Sequence, residues 1–384
     1  MILIDFLYND DINKAVLDVL KQTTNFEISS LCLDLLSAQA ENDSVKTLVA
    51  KLGGVQMLCE RLEELLSKYD EGDVSASDTE VDSVIRSACD LIIVVLTGDI
   101  FEVYHGISVK MKKEDGVAGD MNSIDPAVVT KIEHASLAAL RNLSIPAENK
   151  RSAAEKGRAA PMLIDALLDI ENHHVAYKLM ATIRMLMDGQ ESVARCVGGR
   201  EAALRAIAAW AHRAQHAGAA GEAPRLLARA VVSLRRHPLC RELIHADGCV
   251  ASLVGMLVAS HSLMQSEAIL ALTLLAIEAG DDPALVARLI AAELGKHLSI
   301  LIETNLSKMP LEVAENLLAY LDVTAKNREL ALEYRNANVH TSLQKFKDAR
   351  SDISEELQHC IEALIGVILE CDKVDKRQQT ITQV

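Results

Sequence analysis

The sequence predicts an all-α protein, a right-handed superhelical solenoid of stacked helical repeats. The stretch Val128 to Leu168 reads as three helices in about forty residues, and such a unit cannot bury its apolar face without a similar neighbour. Hydrophobic residues make up 50% of the chain and aromatic residues only 3%, which favours helices packed through aliphatic side chains over strands. Intervals of 42, 49 and 47 residues separate four glycines that fall between predicted helices, Gly157, Gly199, Gly248 and Gly295.

The long helix that opens this stretch has one face of apolar or small side chains. Its members recur every three or four residues: Val129, Ile132, Ser136, Leu140 and Leu143. Pro146 should end the helix, because proline has no N–H to donate and disfavours helical geometry in the preceding residue. A short helix is expected over 147–156, and Gly157 then permits a sharp turn into a third helix.

The pattern is less regular before Val128. Residues 1–25 are expected to form a helical remnant or an end cap, and the repeat array is expected to cover 26–372. Two acidic stretches, 69–80 and 114–125, are interpreted as loops. A long helix is predicted between them, over 81–96.

The pattern is clear after Leu168, where one long helix per repeat is predicted. These helices are expected at 172–188, 222–237, 261–279, 310–325 and 352–371. The alanine-rich segment 201–230 favours helix, with a break expected around 217–221. Residues 373–384 are interpreted as a polar tail.

The charge distribution indicates the kind of partner. The net charge is −16, with 24 acidic and 10 basic residues in 1–125 and 10 acidic and 16 basic residues in 126–240. The remaining residues are acidic again, so a basic middle lies between two acidic arms. Such a field repels nucleic acid and attracts a basic protein partner. The alternative is that the acidic residues simply keep a long solenoid soluble.

Cysteine use and hydropathy predict a soluble cytosolic protein. The eight cysteines are scattered without a CxxC pair, and most lie in apolar runs, so they are interpreted as reduced core residues. The start of the chain is interpreted as neither a signal peptide nor a membrane span, because Asp5 interrupts its apolar residues. The run Leu91 to Leu96 is much shorter than the about twenty residues that a bilayer requires.

No motif for catalysis, phosphate binding or metal binding is found in the sequence. Gly-rich phosphate loops, HExxH and GxSxG are absent. The adjacent pair His173 and His174 is interpreted as solvent-exposed, and Trp210 as a residue that fills an interface between repeats. We therefore expect no enzyme activity, no cofactor and no metal, and a function that depends on binding.

At ALRNLSIPAENK the chain resembles armadillo repeats, in which the long third helix lines a groove and its asparagine hydrogen-bonds an extended partner. Here that residue is Asn142. Three further segments, KLMATIRMLMDGQ, LMQSEAILALTLLA and CDLIIVVLTGD, resemble the small-GTPase GDP-dissociation stimulator family. The resemblance extends from about Phe26 to Cys371.

This resemblance implies a cytosolic protein that binds Rho- and Rap-type GTPases with basic C-terminal tails, promotes GDP release and chaperones them around prenylation. Compared with the family, the chain is expected to be shortened at its N-terminus, where the prenyl-accepting groove lies, and to lack one repeat between Asp99 and Val128. We expect a monomer that inserts into no membrane. The predicted groove residues are Asn142, Glu133, Asp90 and Arg184.

Other interpretations of these residues stay open. Asn142 could simply cap the end of its helix before Pro146. Arg184 could be a solvated side chain or form a salt bridge between repeats. The alternative function is an armadillo adaptor for basic peptides, whose grooves pair each asparagine with a tryptophan four residues earlier. Position 138 is alanine here, and Trp210 is predicted to lie off the groove helices, which disfavours that function.

Overall fold

The structure, a computed structural model, divides into two compact units, Met1–Leu186 and Met187–Val384, which are described separately. Every regular element in the described residues is a helix, so the predicted all-α class is confirmed. The described residues are 10–40, 43–54, 57–58, 60–61, 64, 77–96, 137, 140–142, 144–157, 159–280 and 282–371.

Unit 1 contains seven helices with complete bounds among its described residues. They are α1 (Asp10–Gln22), α2 (Phe26–Gln39), α3 (Asp43–Lys51), α4 (Asp78–Leu96), α5 (Ala147–Lys156), α6 (Ala159–Asp169) and α7 (His173–Met187). Helix α1 contacts α2 and α3, and α2 packs along α4. The serine side chains of α4 support this packing, since Ser87 donates a hydrogen bond of 2.9 Å to Asp34 of α2.

The prediction that 69–80 is a loop is wrong at its end, because α4 begins at Asp78. Glu80 accepts hydrogen bonds from the backbone N–H of Ser77 at 2.8 Å and from its hydroxyl at 2.7 Å. This is half of a capping box, in which a serine and a glutamate three residues later satisfy the free groups of a helix start. The hydrogen bonds to Ser77 lower the pKa of Glu80. Because residues 69–80 are rich in acidic side chains, their composition favoured a loop and did not indicate that a helix begins at Asp78.

Several predictions lie outside the described residues. These are the loop at 114–125, the missing repeat between Asp99 and Val128, the polar tail 373–384 and the first nine residues of the predicted cap. They stay predictions.

Unit 2 contains four consecutive groups of helices, each with two shorter helices followed by a long one. The first group is α8 (Glu191–Gly198), α9 (Glu201–Ala211) and α10 (Ala217–Ser233). The second is a 3₁₀ turn (Pro238–Cys240) with α11 (Glu242–His245), then α12 (Cys249–Met256) and α13 (Ser262–Ala279). The third is α14 (Pro283–Ala291), α15 (Leu294–Thr304) and α16 (Leu311–Thr324). The fourth is α17 (Arg328–Asn336), α18 (Val339–Ala349) and α19 (Glu355–Glu370).

The long helices of unit 2 pack side by side in chain order. Helix α13 contacts α10 on one side and α16 on the other, and α16 also contacts α19. Each group therefore buries its apolar face against the next group, as the repeat pattern predicts. The buried side chains of α13 include Ala268, Leu272 and Leu275, which are at most 1% exposed.

The predicted break around 217–221 is wrong, because α10 begins at Ala217 and continues to Ser233. Alanine has the highest helix propensity, and the six alanines among residues 217–230 favour this helix despite Gly218, Gly221 and Pro224. Ala219 and Ala223 are buried, so tertiary packing adds to that propensity.

The repeat-spaced glycines have different physical roles. Gly157 and Gly248 have φ of +66° and +80°, a left-handed conformation that favours glycine and fits the predicted turns. Gly199 has φ of −80°, so it needs no such freedom. Gly295 lies inside α15 rather than between helices, and Glu293 adopts the positive φ there. A Cβ on Gly295 would lie 2.7 Å from the Cβ of Ala337 and 2.9 Å from the carbonyl oxygen of Glu333.

We expect Gly295→Ala to lower the free energy of unfolding by about 1–3 kcal/mol, because the added methyl forces α15 away from the end of α17. The matched control is Gly255→Ala in α12, where a Cβ would meet nothing within 4 Å. That substitution should raise stability by about 0.5–1 kcal/mol, since alanine restricts the unfolded chain. Urea denaturation followed by circular dichroism measures both, and equal changes would contradict the close-approach role of Gly295.

Candidate partner-binding surface

The structure places Asn142 at the end of a helix, where it is half-buried. Its backbone carbonyl accepts a hydrogen bond of 3.1 Å from the N–H of Ile145. The chain therefore turns directly after Asn142, as the helix-end interpretation predicts. Its role in partner binding stays a prediction.

Of the other predicted groove residues, Arg184 lies half-buried in the last turn of α7. Helix α7 contacts the helix that carries Asn142, since the Thr182 hydroxyl lies 3.3 Å from the Leu137 carbonyl oxygen that accepts its hydrogen bond. The structure thus puts Asn142 and Arg184 on neighbouring helices. Asp90 lies in α4, but its side chain is outside the described residues, as is the whole of Glu133.

The long helices of unit 2 form a second, more completely described surface, which sequence reasoning did not select. Helix α13 packs on α12 of its own repeat and has α10 and α16 beside it. Its remaining face points to solvent and carries a row of aliphatic side chains. Leu263, Leu270 and Ile277 are 62%, 47% and 58% exposed, and Leu274 is half-buried.

An ion pair and a backbone hydrogen bond join α10 to α13. Arg225 of α10 donates two hydrogen bonds to the Glu267 carboxylate of α13, at 2.8 and 3.1 Å, and lies 3.5 Å from buried Glu222. The backbone N–H of Arg236, just beyond α10, donates to Glu278 at 2.9 Å. Both links join residues 42 positions apart, so α10 and α13 run parallel with a constant offset.

The solvent face of α16 is polar and acidic. Glu312 and Glu315 are exposed in its first two turns, and neither forms an ion pair with any described residue. Asp322 lies later in the same helix and pairs with Lys326 at 2.9 Å. Arg225 on the α10 side of α13 is therefore ion-paired, whereas Glu312 and Glu315 of α16 form no ion pair with any described residue.

Three residues considered for binding chemistry are not part of this surface. Trp210 is 3% exposed within α9, and the Arg213 guanidinium stacks on its ring with 4.0 Å to the ring centroid. His173 and His174 start α7, with 4.0 Å between their ring centroids. In the part of the chain that the structure describes, no group of three or more histidine, cysteine, aspartate or glutamate side chains could hold a metal ion.

The described cysteines are free thiols, of which Cys240 and Cys249 are buried and Cys32, Cys196, Cys360 and Cys371 are half-buried. The core interpretation is therefore confirmed for only two of these six. Burial raises the pKa of Cys240 to about 11 and that of Cys249 to about 12. Glu278 adds to the rise at Cys240, while Arg288 opposes the rise at Cys249. A thiol with so high a pKa carries almost no reactive thiolate at neutral pH.

We expect iodoacetamide at pH 8 to leave Cys240 and Cys249 unmodified in the folded protein and to modify both in guanidinium chloride. Half-buried Cys196 serves as the internal control and should react faster in the folded state. Peptide mass spectrometry measures each site. Modification of Cys249 at the rate of Cys196 in native protein would contradict the packing around α12.

Helix α13 is also long and apolar enough, by length and composition, to cross a membrane, with a mean hydropathy of 1.4. Only 39% of its residues are buried, and the others include the aliphatic row. The core helix of a soluble protein can pass the same test, and here α13 is packed between α10 and α16.

Comparison with known proteins finds similarity to two proteins named for GTPases. No protein-family model matches the chain. The GTPase-GDP dissociation stimulator vimar of Drosophila melanogaster is 27% identical over 417 residues, covering 88% of this chain and 64% of its own. The Rap1 GTPase-GDP dissociation stimulator 1-A of Xenopus laevis is 25% identical, covering 83% of this chain and 60% of its own. The chain thus spans less than two thirds of the length of these relatives.

Comparison of structures supports the fold alone. A crystal structure of an engineered protein matches with a TM-score of 0.56 and 17% identity, covering 93% of this chain and 88% of its own. The all-α armadillo class agrees with the short, short, long helix order of unit 2. The resemblance predicted from the sequence is also confirmed as a similarity to proteins named GTPase-GDP dissociation stimulators.

Proposed function

We propose that this chain binds small GTPases and stimulates their release of GDP. The observation that carries the proposal is the similarity, over more than four fifths of the chain, to two proteins named for that activity. The relatives are longer than this chain, so we propose that the repeats shared with them are sufficient for this activity. We also propose that the protein is located in the cytosol.

The proposed mechanism needs no catalytic acid or base. A partner accelerates GDP release when it binds the nucleotide-free GTPase more tightly than the GDP-bound form, because only differential affinity can shift an equilibrium. A tenfold preference corresponds to about 1.4 kcal/mol of binding free energy. A rigid array of packed repeats suits this role, since a preformed surface loses little conformational freedom on binding.

The class of GTPase is a finer part of the proposal. Rap-type partners are favoured because one relative is named for Rap1. From the sequence resemblance we also propose Rho-type partners and a role as a chaperone of these GTPases before or after prenylation. The net charge of −16 supports a partner with a basic C-terminal tail, whose approach it would accelerate at low ionic strength.

Release of fluorescent GDP from purified Rap and Rho GTPases, with excess unlabelled nucleotide, tests the proposal. We expect this chain to accelerate release from at least one GTPase, and increasing salt to weaken the effect. Removing the basic tail of the GTPase should reduce it further. Binding without acceleration would indicate an adaptor instead. The absence of binding to every Rap and Rho GTPase tested would contradict the proposal.

Asn142 is tested in the same assay as a groove residue. We expect Asn142→Ala to slow the stimulated release and Asn305→Ala, a helix-end asparagine of unit 2, to leave it unchanged. Asn305 donates to the Leu301 carbonyl of its own helix at 2.8 Å, so it serves as a matched structural asparagine. Equal effects of both substitutions on release would show that Asn142 only ends its helix.

A further inference from the structure

We propose that the loop after α10 binds the phosphate group of a phosphorylated serine or threonine in a partner protein. This loop, residues 234–241, is called the arginine loop here because it carries Arg235, Arg236 and Arg241, which are all exposed. The partner need not be a GTPase, so the proposal goes beyond nucleotide exchange and does not depend on it.

The backbone of Arg236 is the first indication of a binding role. Its φ is +67°, in the left-handed region where the Cβ atom crowds the backbone and glycine is favoured. The other described non-glycine residues with a positive φ are Asn338, a residue type that tolerates this conformation, and Glu293, which pairs with Lys296 at 2.9 Å. Neither reason applies to Arg236, and strained positions of this kind cluster at binding sites.

The guanidinium groups of the arginine loop are available to a ligand. The side chains of Arg235 and Arg236 form no ion pair or hydrogen bond with any described residue. Arg241 uses one N–H group, which donates a hydrogen bond of 3.3 Å to the carbonyl oxygen of Glu278 in α13. Because the Glu278 carboxylate also accepts a hydrogen bond of 2.9 Å from the backbone N–H of Arg236, the two ends of the loop meet at one residue.

Hydrogen bonds and burial hold the arginine loop in one conformation. The backbone N–H of His237 donates to the carbonyl oxygen of Leu234 at 2.8 Å, and the N–H of Cys240 donates to the carbonyl oxygen of His237 at 2.9 Å. Leu234 and Cys240 are at most 1% exposed, so both ends of this segment are anchored in the core. A preformed loop loses little conformational freedom when a ligand binds.

The donor groups of the loop fit a phosphate. A guanidinium group presents two parallel N–H groups whose spacing matches two phosphate oxygens. The Nδ1 atom of His237 accepts a hydrogen bond of 3.2 Å from the N–H of Leu239, so the neutral ring carries its proton on Nε2 and can donate it. Clusters of arginine recognise phosphorylated peptides in several unrelated domains.

The surrounding charges favour a compact anion over an extended one. The chain has a net charge of −16, Glu242 follows Arg241 directly, and the Glu278 carboxylate lies against the loop. Nucleic acid or an anionic membrane would bring many negative charges against these carboxylates and the rest of the chain. A single phosphate group can contact the arginine side chains alone, and exposed Pro238 offers an apolar contact to the peptide that carries it.

Fluorescence anisotropy with synthetic probes tests the proposal on the full chain. The probe is a short fluorescein-labelled peptide with phosphoserine at its centre and glycine and alanine on both sides. Two control peptides have serine or glutamate at the central position. We expect the phosphoserine peptide to bind about tenfold more tightly than either control. Equal binding of the phosphoserine and glutamate peptides would overturn the proposal, because the loop would then recognise negative charge alone.

Double variants locate the binding. Arg235→Gln with Arg236→Gln should weaken binding of the phosphoserine peptide by about tenfold, as expected for the loss of two charged hydrogen-bond donors. The matched control is Arg195→Gln with Arg205→Gln, which removes the same charge from exposed arginines that pair with glutamates of their own helices, at 3.8 and 2.6 Å. It should bind like the unmodified protein. Equal weakening by both double variants would overturn the proposal, since only net charge would then matter.

Arg236→Gly separates binding from folding. Glycine adopts a φ of +67° without strain, so this variant should unfold at the same temperature as the unmodified protein or at a higher one. It should nevertheless bind the phosphoserine peptide more weakly, because the guanidinium group is lost. Unchanged peptide binding in this variant would contradict the role assigned to Arg236.

A lipid arm completes the test. The chain is sedimented with phosphatidylcholine vesicles that contain phosphatidylinositol bisphosphate, whose headgroup carries the same phosphate chemistry. We expect no sedimentation that depends on Arg235 and Arg236. Sedimentation that their double variant abolishes, in a chain that does not bind the phosphoserine peptide, would overturn the proposal, since the loop would then bind lipid.

Discussion

Trp210→Ala is expected to lower the free energy of unfolding of unit 2 by about 3–5 kcal/mol, the usual cost of removing a large aromatic side chain from a core. Trp210 is 3% exposed in α9, which packs along α10, so truncation to alanine leaves a cavity in the core of unit 2. Urea denaturation followed by circular dichroism measures the change, because the variant has no tryptophan fluorescence.

Arg213→Ala is the matched control for this site. It removes the guanidinium that stacks on the indole ring but leaves the buried volume filled. Since Arg213 is exposed, the loss should be only about 0.5–1 kcal/mol. A Trp210→Ala variant as stable as Arg213→Ala would show that the indole ring does not hold α9 in place.

Arg350→Ala is expected to lower stability by about 2–4 kcal/mol, because it leaves a buried carbonyl without its hydrogen-bond donor. Arg350 donates 2.6 Å hydrogen bonds to the Met309 carbonyl oxygen and to both carboxylate oxygens of Asp352. Its side chain is only 6% exposed. It thereby connects the loop before α19 to the loop before α16, 41 residues earlier.

Lys345→Ala is the control for Arg350→Ala. Lys345 pairs with Glu303 at 2.8 Å across the same pair of repeats, but both side chains are about half exposed. Its removal should cost less than about 1 kcal/mol, the usual value for a surface ion pair. Equal losses in thermal or urea unfolding would contradict the role assigned to the Arg350 contact with Met309.

The pH dependence of stability distinguishes the ion pair of Arg350 with Asp352 from its hydrogen bond to the Met309 carbonyl. Hydrogen bonds from Arg350 lower the pKa of Asp352 below its usual 3.8, so the unfolded chain binds a proton at this residue more readily than the folded chain. The stability from this pair is present above about pH 4 and is lost as the pH falls through the lowered pKa. The hydrogen bond to the Met309 carbonyl remains in acid, so Arg350→Ala should still destabilise the protein below that pH.

Local chemistry made much of the fold predictable from the sequence. The short helix predicted over 147–156 matches α5, the third helix begins close to the predicted Ala160, and the long helices at 261–279 and 310–325 match α13 and α16 to within one residue. These features depend on residues close together in the chain. The start of α4 at Asp78 is an exception, because the acidic composition of 69–80 favoured a loop interpretation.

Features set by distant residues could not be predicted. The solvent exposure of Leu270 and Ile277 depends on which faces of α13 are covered by α10, α12 and α16. In the sequence they belong to an apolar run that reads as core. The pairing of Arg225 with Glu267 likewise follows only from the parallel alignment of two helices, because the two residues lie 42 positions apart.

The sequence by itself determined the helices, their order in each repeat and the family that the chain resembles, because periodicity, helix breakers and motifs are local properties. Only the tertiary structure decided that Gly295 permits a close helix contact rather than a turn, and that the row from Leu263 to Ile277 faces solvent. The physical reason is that both depend on the neighbouring repeat, whose position follows from packing of the whole array.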